Sequence, residues 1–391
     1  MRPEPPDPPT HSSGPTVHSP THSSGPAVHS PTHSSGPTVH SRGLRSHLHL
    51  TRGSLDLDVE ISAEPGEVVG VLGPNGGGKT TSVLALAGVL AAGAEGRIAV
   101  DGEVWDDGRH VLPPEQRHVG LMLADPLLFP NLRAVDNVAY GPRSRGVRRR
   151  EALERAAVEL ERVGLGEQAT ARPRELSSGQ AARVALARAL AGDPALLLLD
   201  EPLSALDPDT RARTRSDLAR RLAAYEGVTV LVTHDPLDAL TLADRLVFIE
   251  SGRVTQTGSP AEVLREPRSP YVATVVGLNL YASEGDSHGH ARTGTGAVVV
   301  TTDPTEGPVW TAFSPSAVSL HRREPEGSPR NTWPLRIRDV TLHGQSARVG
   351  LTGTIDLTAE VTLESIATLG LHVGQHVWAA VKATEVRTYP R

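Results

Sequence analysis

From Leu44 to about Ser283 the chain alternates short apolar runs with stretches of helical period. Val68-Val69-Gly70-Val71-Leu72, Leu196-Leu197-Leu198-Leu199 and Val228-Thr229-Val230-Leu231-Val232 are unbroken apolar runs of strand length. Such runs suit strands buried on both faces, as in a parallel sheet covered by helices. Leu55-Asp56-Leu57-Asp58-Val59-Glu60-Ile61 instead alternates strictly, which reads as an edge strand. Residues 43–283 are therefore expected to form an α/β domain with a mostly parallel sheet. Residues 284–297 are rich in Gly, Ser, His and Thr, so 284–326 reads as a linker with a leading strand. Leu335–Val340 and Ile355–Val361 alternate with period two across turn residues, and 327–391 is expected to be a small all-β domain.

The N-terminal region, residues 1–42, has another character. Pro9–Ser19, Pro20–Ser30 and Pro31–Ser41 each read Pro-Thr-His-Ser-Ser-Gly-Pro-Thr/Ala-Val-His-Ser. These repeats lack an apolar face to stack, and so little apolar surface cannot offset the chain entropy of folding. A disordered, solvated tail is expected, its histidines at most opportunistic ligands for Ni²⁺ or Zn²⁺. A formal charge of −6 argues against nucleic acid as a partner held by a bulk basic surface. The chain has no cysteine, which excludes disulfides, thiolate zinc sites and cysteine nucleophiles. No run approaches the ~18 apolar residues of a membrane span, and no basic-then-apolar leader opens the chain, so a cytosolic location is expected.

Gly73-Pro74-Asn75-Gly76-Gly77-Gly78-Lys79-Thr80 follows the first apolar run and leads into the helix-forming segment Ser82–Ala87. A strand, a Gly-rich loop and a helix in that order let successive backbone N–H groups converge on phosphate without Cβ clashes. Lys79 can reach the β/γ-phosphates of a nucleoside triphosphate, the Thr80 hydroxyl can ligate Mg²⁺, and Thr81 continues the phosphate-binding segment. Leu196–Leu199 delivers Asp200-Glu201 to a strand's C-terminal end, where open α/β sheets bind their ligands. Asp200 is placed to hold Mg²⁺ through water, and the longer Glu201 to orient and deprotonate the attacking water.

Leu176-Ser177-Ser178-Gly179-Gln180 resembles the signature of the ABC-transporter ATPases. The motif order is also that family's, with Ser204-Ala205-Leu206-Asp207 as the D-loop and Thr233-His234-Asp235 as the switch histidine, over roughly residues 44–283. Ser177, Ser178 and Gly179 offer hydroxyl and backbone donors at the start of an expected helix, Gln180–Ala191, which suits an anion. The resemblance implies ATP and Mg²⁺ as cofactors and a head-to-tail homodimer, in which Ser177, Ser178, Gly179 and Gln180 meet the γ-phosphate held by the partner subunit. It also implies that His234 contacts the γ-phosphate and attacking water, and that Asp207 couples the two sites. Two departures stand out. Ala124 occupies the place of a glutamine that ligates Mg²⁺ and links to the permease, and no Phe, Tyr or Trp precedes Trp105. An aromatic partner for adenine is thus absent near Ser54-Leu55; base stacking is worth about 1–3 kcal/mol elsewhere, so weaker and less selective ATP binding is expected. Between Asp125 and Ser177 a mainly helical insertion is expected, with Arg143, Arg145, Arg148, Arg149 and Arg150 on a solvated face, a reading preferred to contact with anionic lipid or permease. Leu127, Leu128 and Phe129 suit either core or the groove for a permease helix.

Ser328-Pro329-Arg330-Asn331, Leu357–Thr362, Leu369–Gln375 and Val381–Val386 resemble the molybdate-binding β-barrel (OB-like) domain of molbindins, over about 327–389. A tetrahedral oxyanion needs N–H and hydroxyl donors with positive charge at hand. Ser328, Arg330, Asn331 and Lys382 supply these at matching positions, while Pro329 removes one backbone N–H. Together the resemblances imply an ATPase subunit bound peripherally at the cytoplasmic face of the cell membrane, driving an integral permease loaded by an extracytoplasmic binding protein. They imply molybdate as solute and as regulatory ligand. An importer ATPase for sulfate, iron or polyamine, and a molybdate sensor with impaired ATPase, remain the rival readings; soluble ABC proteins usually carry two ATPase domains, and one phosphate loop occurs here.

Overall fold

The computed structural model of the chain describes residues 42–391, and the repeats at 9–41 lie outside the described residues. Strands β1 (Leu44–Arg52), β2 (Leu55–Ala63), β3 (Val68–Leu72), β4 (Arg97–Val100), β5 (Glu103–Asp106), β6 (Val119–Met122), β7 (Leu196–Asp200), β8 (Val228–Val232), β9 (Arg245–Glu250) and β10 (Arg253–Gly258) build one ten-stranded sheet. Their order is β5-β4-β1-β2-β10-β9-β3-β8-β7-β6. The block β9-β3-β8-β7-β6 is parallel throughout. The flank β5-β4-β1-β2 is antiparallel. Every residue of β3, β7 and β8 is buried, as their unbroken apolar sequences require. Contrary to the expectation from its alternation, β2 is not an edge strand, because β1 pairs with it on one side and β10 on the other. Period two reports one wet face of the sheet and carries no information about lateral neighbours.

Among the described residues nine helices accompany this sheet: α1 (Lys79–Leu86), α2 (Ala134–Val138), α3 (Tyr140–Ser144), α4 (Arg149–Arg162), α5 (Ser178–Leu190), α6 (Pro208–Leu222), α7 (Pro236–Leu242), α8 (Pro260–Arg265) and α9 (Pro270–Val276). On one face α1 packs Val83 and Leu86 into a core with Leu48, Val59 and Trp105. On the other, α5, α6 and α7 bring Leu186, Leu218 and Leu242 against Phe248. The leucines of β7 divide between them, Leu196 and Leu198 to the first core, Leu197 and Leu199 to the second. Helices α2, α4 and α5 enclose a further core of Val138, Ala152, Leu160 and Val184, so the expected helical insertion is present. Arg143, Arg145, Arg148, Arg149 and Arg150 are exposed, as are Leu127 and Phe129, whereas Leu128 is half-buried.

The remaining strands are β11 (Asn279–Gly285), β12 (His290–Thr293), β13 (Val298–Val300), β14 (Gly307–Phe313), β15 (Ser319–His321), β16 (Asn331–His343), β17 (Ser346–Gly353), β18 (Leu357–Thr362), β19 (His376–Val381) and β20 (Arg387–Pro390), with α10 (Leu363–Leu369) between β18 and β19. They form two five-stranded antiparallel sheets, ordered β13-β12-β11-β14-β20 and β15-β19-β16-β17-β18. Val299 and Phe313 from the first share a core with Trp333, Leu335 and Val349 from the second. Residues 284–326 are therefore not a linker but part of a β unit that begins at β11. Their small-residue composition serves tight turns, with Gly289 at φ +77° and Gly296 at φ +87°, between strands too short to show alternation. Tyr389 Oη donates to Pro267 O at 2.6 Å, tying β20 to the segment before α9.

Arg117 fixes the far end of α1. It is 1% exposed, and its guanidinium donates to Ala85 O (3.0 Å) and Leu86 O (2.9 Å) in the last turn of that helix, with Asp106 at 3.9 Å. Arg117→Met strands these carbonyls and a buried carboxylate, and is predicted to lower unfolding free energy by about 3 kcal/mol, read from urea denaturation of the full chain.

Candidate active site

Between β3 and α1 the chain arches over the end of the sheet. A Cβ on Gly73 would lie 2.0 Å from Ile249 O, and one on Gly78, at φ +115°, 2.5 Å from Leu57 Cδ1, so both positions require glycine. Gly77 N–H donates to Pro74 O (3.1 Å), and Gly77 O accepts from Gly252 N (3.0 Å), which leans the loop on the β9–β10 turn. Asn75 and Gly76 form the exposed tip. Lys79 folds back beneath the loop, its Nζ donating to Gly73 O at 2.8 Å and Pro74 O at 3.0 Å. Burial pulls the Lys79 pKa down, while the charges of Glu201 and Asp200 hold it up. Thr81 is buried; Thr80 is exposed and donates from Oγ1 to Asp200 Oδ2 at 2.9 Å.

Asp200, at the end of β7, is 3% exposed. Burial raises its pKa, against the Thr80 hydrogen bond and the Lys79 charge. A buried carboxylate beside a hydroxyl is a hard oxygen donor set awaiting a cation, and Thr80 with Asp200 fits Mg²⁺. Glu201 adopts φ +54°, a left-handed conformation costing a non-glycine residue roughly 1–2 kcal/mol. Its N–H donates to Val232 O (2.9 Å), and its carbonyl accepts from Ser204 N (3.3 Å) and Ser204 Oγ (2.9 Å). Those bonds hold the turn that aims its side chain across to the end of β8. There Glu201 Oε2 meets His234 Nδ1 at 2.6 Å. Burial raises the Glu201 pKa and His234 pulls it back.

The structure thus brings Lys79, Thr80, Asp200, Glu201 and His234 together at the C-terminal ends of β3, β7 and β8. Ser177 to Gln180 and Asp207 instead make their hydrogen bonds within their own helix turns. Ser177 caps α5 in a reciprocal box, its Oγ accepting from Gln180 N (3.2 Å) while Gln180 Oε1 accepts from Ser177 N (2.9 Å). Ser178 is exposed at the first turn of the helix. A Cβ on Gly179 would lie 3.2 Å from Leu206 Cδ2, so the Ser204–Asp207 segment packs on the signature within one chain. Asp207 Oδ1 accepts from Thr210 N at 3.0 Å and caps α6, and that backbone bond holds its pKa below the usual range.

Sequence reasoning missed several neighbours. A cleft of about 510 Å³ beside the loop is lined by Ser54, Leu55, Asp56, Gly76, Ser251 and Arg253, without an aromatic ring. Arg253 Nη2 pairs there with Asp56 Oδ2 at 2.7 Å. Tyr271, on α9, lies beside the Gly73 backbone, and its phenol is raised mainly by burial. Neither residue carries a local signal, since each reaches the loop from far along the chain. Ala124 is exposed just beyond β6, the strand beside β7. In the β unit, Asn331 departs from its expected role. It is 2% exposed, and its amide pairs with the Val300 backbone, Oδ1 accepting at 2.6 Å and Nδ2 donating at 3.0 Å, so it serves the β13–β16 contact. Ser328, Arg330 and Lys382 are exposed, and the pairing of Asn331 with Val381 sets Arg330 and Lys382 at one end of the β16–β19 ladder.

Glu201 accepts a proton only when ionised, and its pKa lies above the ordinary glutamate value of 4.5. Single-turnover hydrolysis is therefore expected to fall as pH drops through a value above 4.5. His234→Ala removes the group that lowers this value, and the acid limb should move to higher pH. Glu201→Gln should abolish the limb and slow hydrolysis by about 10²–10⁴-fold.

Residues 57–204 match the ABC transporter family model, and residues 327–388 the TOBE domain model. The molybdenum import ATP-binding protein ModC of Mycobacterium tuberculosis (strain CDC 1551 / Oshkosh) is 41% identical over 349 residues, covering 85% of this chain and 94% of that protein. The sulfate/thiosulfate import ATP-binding protein CysA 2 of Chromobacterium violaceum is 38% identical over 340 residues, 84% of this chain and 90% of its own. The Fe(3+) ions import ATP-binding protein FbpC 1 of Rhizobium meliloti (strain 1021) is 43% identical over 239 residues, 60% of this chain and 66% of its own. Likeness of that extent, on a chain whose phosphate loop and carboxylates already converge, shows that it belongs to the ABC transporter family as an ATP-hydrolysing subunit with a C-terminal TOBE domain.

Proposed function

We propose that this protein is the ATPase subunit of a molybdate importer, working as a homodimer at the cytoplasmic face of the cell membrane beneath a separate permease and its extracytoplasmic binding protein. The observation that carries the solute is the 41% identity, over 85% of the chain, to a protein named for molybdenum import. Among the described residues no helix is long and apolar enough to cross a membrane, which agrees with leaving translocation to another subunit.

In this reading Lys79 exchanges the Gly73 and Pro74 carbonyls for the β/γ-phosphates, and backbone N–H groups within residues 75–81 surround them. Thr80 and Asp200 hold Mg²⁺, which neutralises phosphate charge. Glu201 takes the proton of the attacking water, and His234, bonded to Glu201, positions it against the γ-phosphate. Ser177, Ser178 and Gly179 of the partner subunit close over that phosphate, with Gln180 bracing their turn, and Asp207 lies at the dimer seam. With Ala124 in place of a polar side chain, coupling to the permease is looser. Ser328, Arg330 and Lys382 bind molybdate as a regulatory ligand, without the Asn331 amide.

A second reading, import of sulfate or iron, is favoured by relatives of 38% and 43% identity named for those solutes. The two readings separate in proteoliposomes holding the full chain, its permease and its binding protein. Molybdate is expected to stimulate ATP hydrolysis and to accumulate, with Glu201→Gln abolishing both. Stimulation by sulfate or Fe³⁺ and none by molybdate overturns the solute assignment.

A further inference from the structure

One face of the β1–β2 pair carries groups that hydrolysis does not use. Leu44, Ser46 and Leu48 point into the core from β1, which leaves His47 and His49 side by side on the opposite face. The antiparallel register sets His49 opposite Asp58 and His47 opposite Glu60, so Asp58 shares that face. The side chains converge: His47 Nε2 lies 2.7 Å from Asp58 Oδ1, and one ligand atom from each of His47, His49 and Asp58 lies within 4.8 Å of the other two. Glu95 Oε2 stands 3.4 Å from His49 Nδ1 and is free to swing, at 79% side-chain exposure.

We propose that His47, His49 and Asp58 form a binding site for a late first-row divalent transition metal ion, of the class of Zn²⁺, Co²⁺ and Ni²⁺. Two imidazoles and a carboxylate make a nitrogen-rich set that favours these ions over Mg²⁺ and Ca²⁺, which take oxygen ligands. Metal–ligand bonds of about 2.0–2.2 Å put tetrahedral donors roughly 3.4 Å apart, and half-buried side chains close the remaining gap by small torsional adjustments. The strands hold the ligands rigidly, because β1 is paired on both sides, by β2 and by β4. The charged groups around the cluster are Glu60 and Arg97, which face His47 from β2 and β4, Glu95 beside His49, and Arg253, whose Nε lies 3.9 Å from Asp58 Oδ2. Arg253 now shares Asp58 with His47 and also holds Asp56 at the loop-side cleft, so the ion takes over one of its two carboxylates. The site is independent of which solute the transporter carries.

The histidines at 11, 18, 22, 29, 33 and 40 are opportunistic ligands that would compete in a direct titration, so the readout has to be coupled to folding. An ion held only by the folded state raises Tm, whereas one held equally by folded and unfolded chain does not. Thermal unfolding of the full chain is therefore followed with and without ZnCl₂, beside His47→Ala/His49→Ala and Asp58→Asn, whose retained ATPase activity reports intact folding. Wild type is expected to gain about 5 °C at Zn²⁺ a hundredfold over Kd, and both variants to gain nothing. Co²⁺ should give wild type, beyond the spectrum of the variants, the intense visible absorption of a four-coordinate ion. Equal Zn²⁺ shifts in wild type and double variant, or none in wild type, overturn the proposal and leave His47–Asp58 as an ion pair between strands.

Discussion

Polar chemistry can leave a strand buried on both faces only at its ends, and the place of the candidate site follows from that restriction. Within β3, β7 and β8 every residue is buried, and the apolar side chains divide between the two cores. The chain turns polar where each strand runs out: at Gly73 after β3, at Asp200-Glu201 closing β7, and at Thr233-His234 beyond β8. Parallel pairing brings those exits to one edge of the sheet, so residues far apart in sequence meet without any long loop to hold them.

The same burial sets the electrostatics. Lys79 loses hydration and so holds its proton less firmly, while Asp200 and Glu201 lose hydration and hold theirs more firmly. Lys79 and the two carboxylates oppose each other's shifts, Asp200 adds to that of Glu201, and the Thr80 hydroxyl and His234 pull the carboxylates back. Two carboxylates and one ammonium leave the cluster short of positive charge, a donor set that suits a divalent cation.

Much of this was legible in the sequence because it is local. The phosphate loop, Asp200-Glu201 and the signature are each written in consecutive residues, and the runs before them give the strands. What escaped is what tertiary pairing decides. The alternation of β2 described its faces correctly and misjudged its neighbours, since lateral order depends on β10, about two hundred residues downstream. Residues 284–326 looked like a linker because three of the four strands that begin there have only three or four residues, too few for a period to emerge. Asn331 looked like an anion donor because its partner, the backbone of Val300, is invisible in any motif. Tyr271 and Arg253 reach the loop region from distant elements and carry no signature of their own.

The four leucines of β7 have a consequence for registry. Sliding this strand by one residue returns a leucine to every position but the last, so hydrophobic burial barely distinguishes the two alignments, although each side chain has changed core. What does distinguish them is the acidic pair, because a slip would draw Asp200 into an apolar slot and pull Glu201 off the Val232 carbonyl. The acidic pair proposed to do the chemistry is also the ruler by which the central strand finds its place, and replacing it puts alignment at stake.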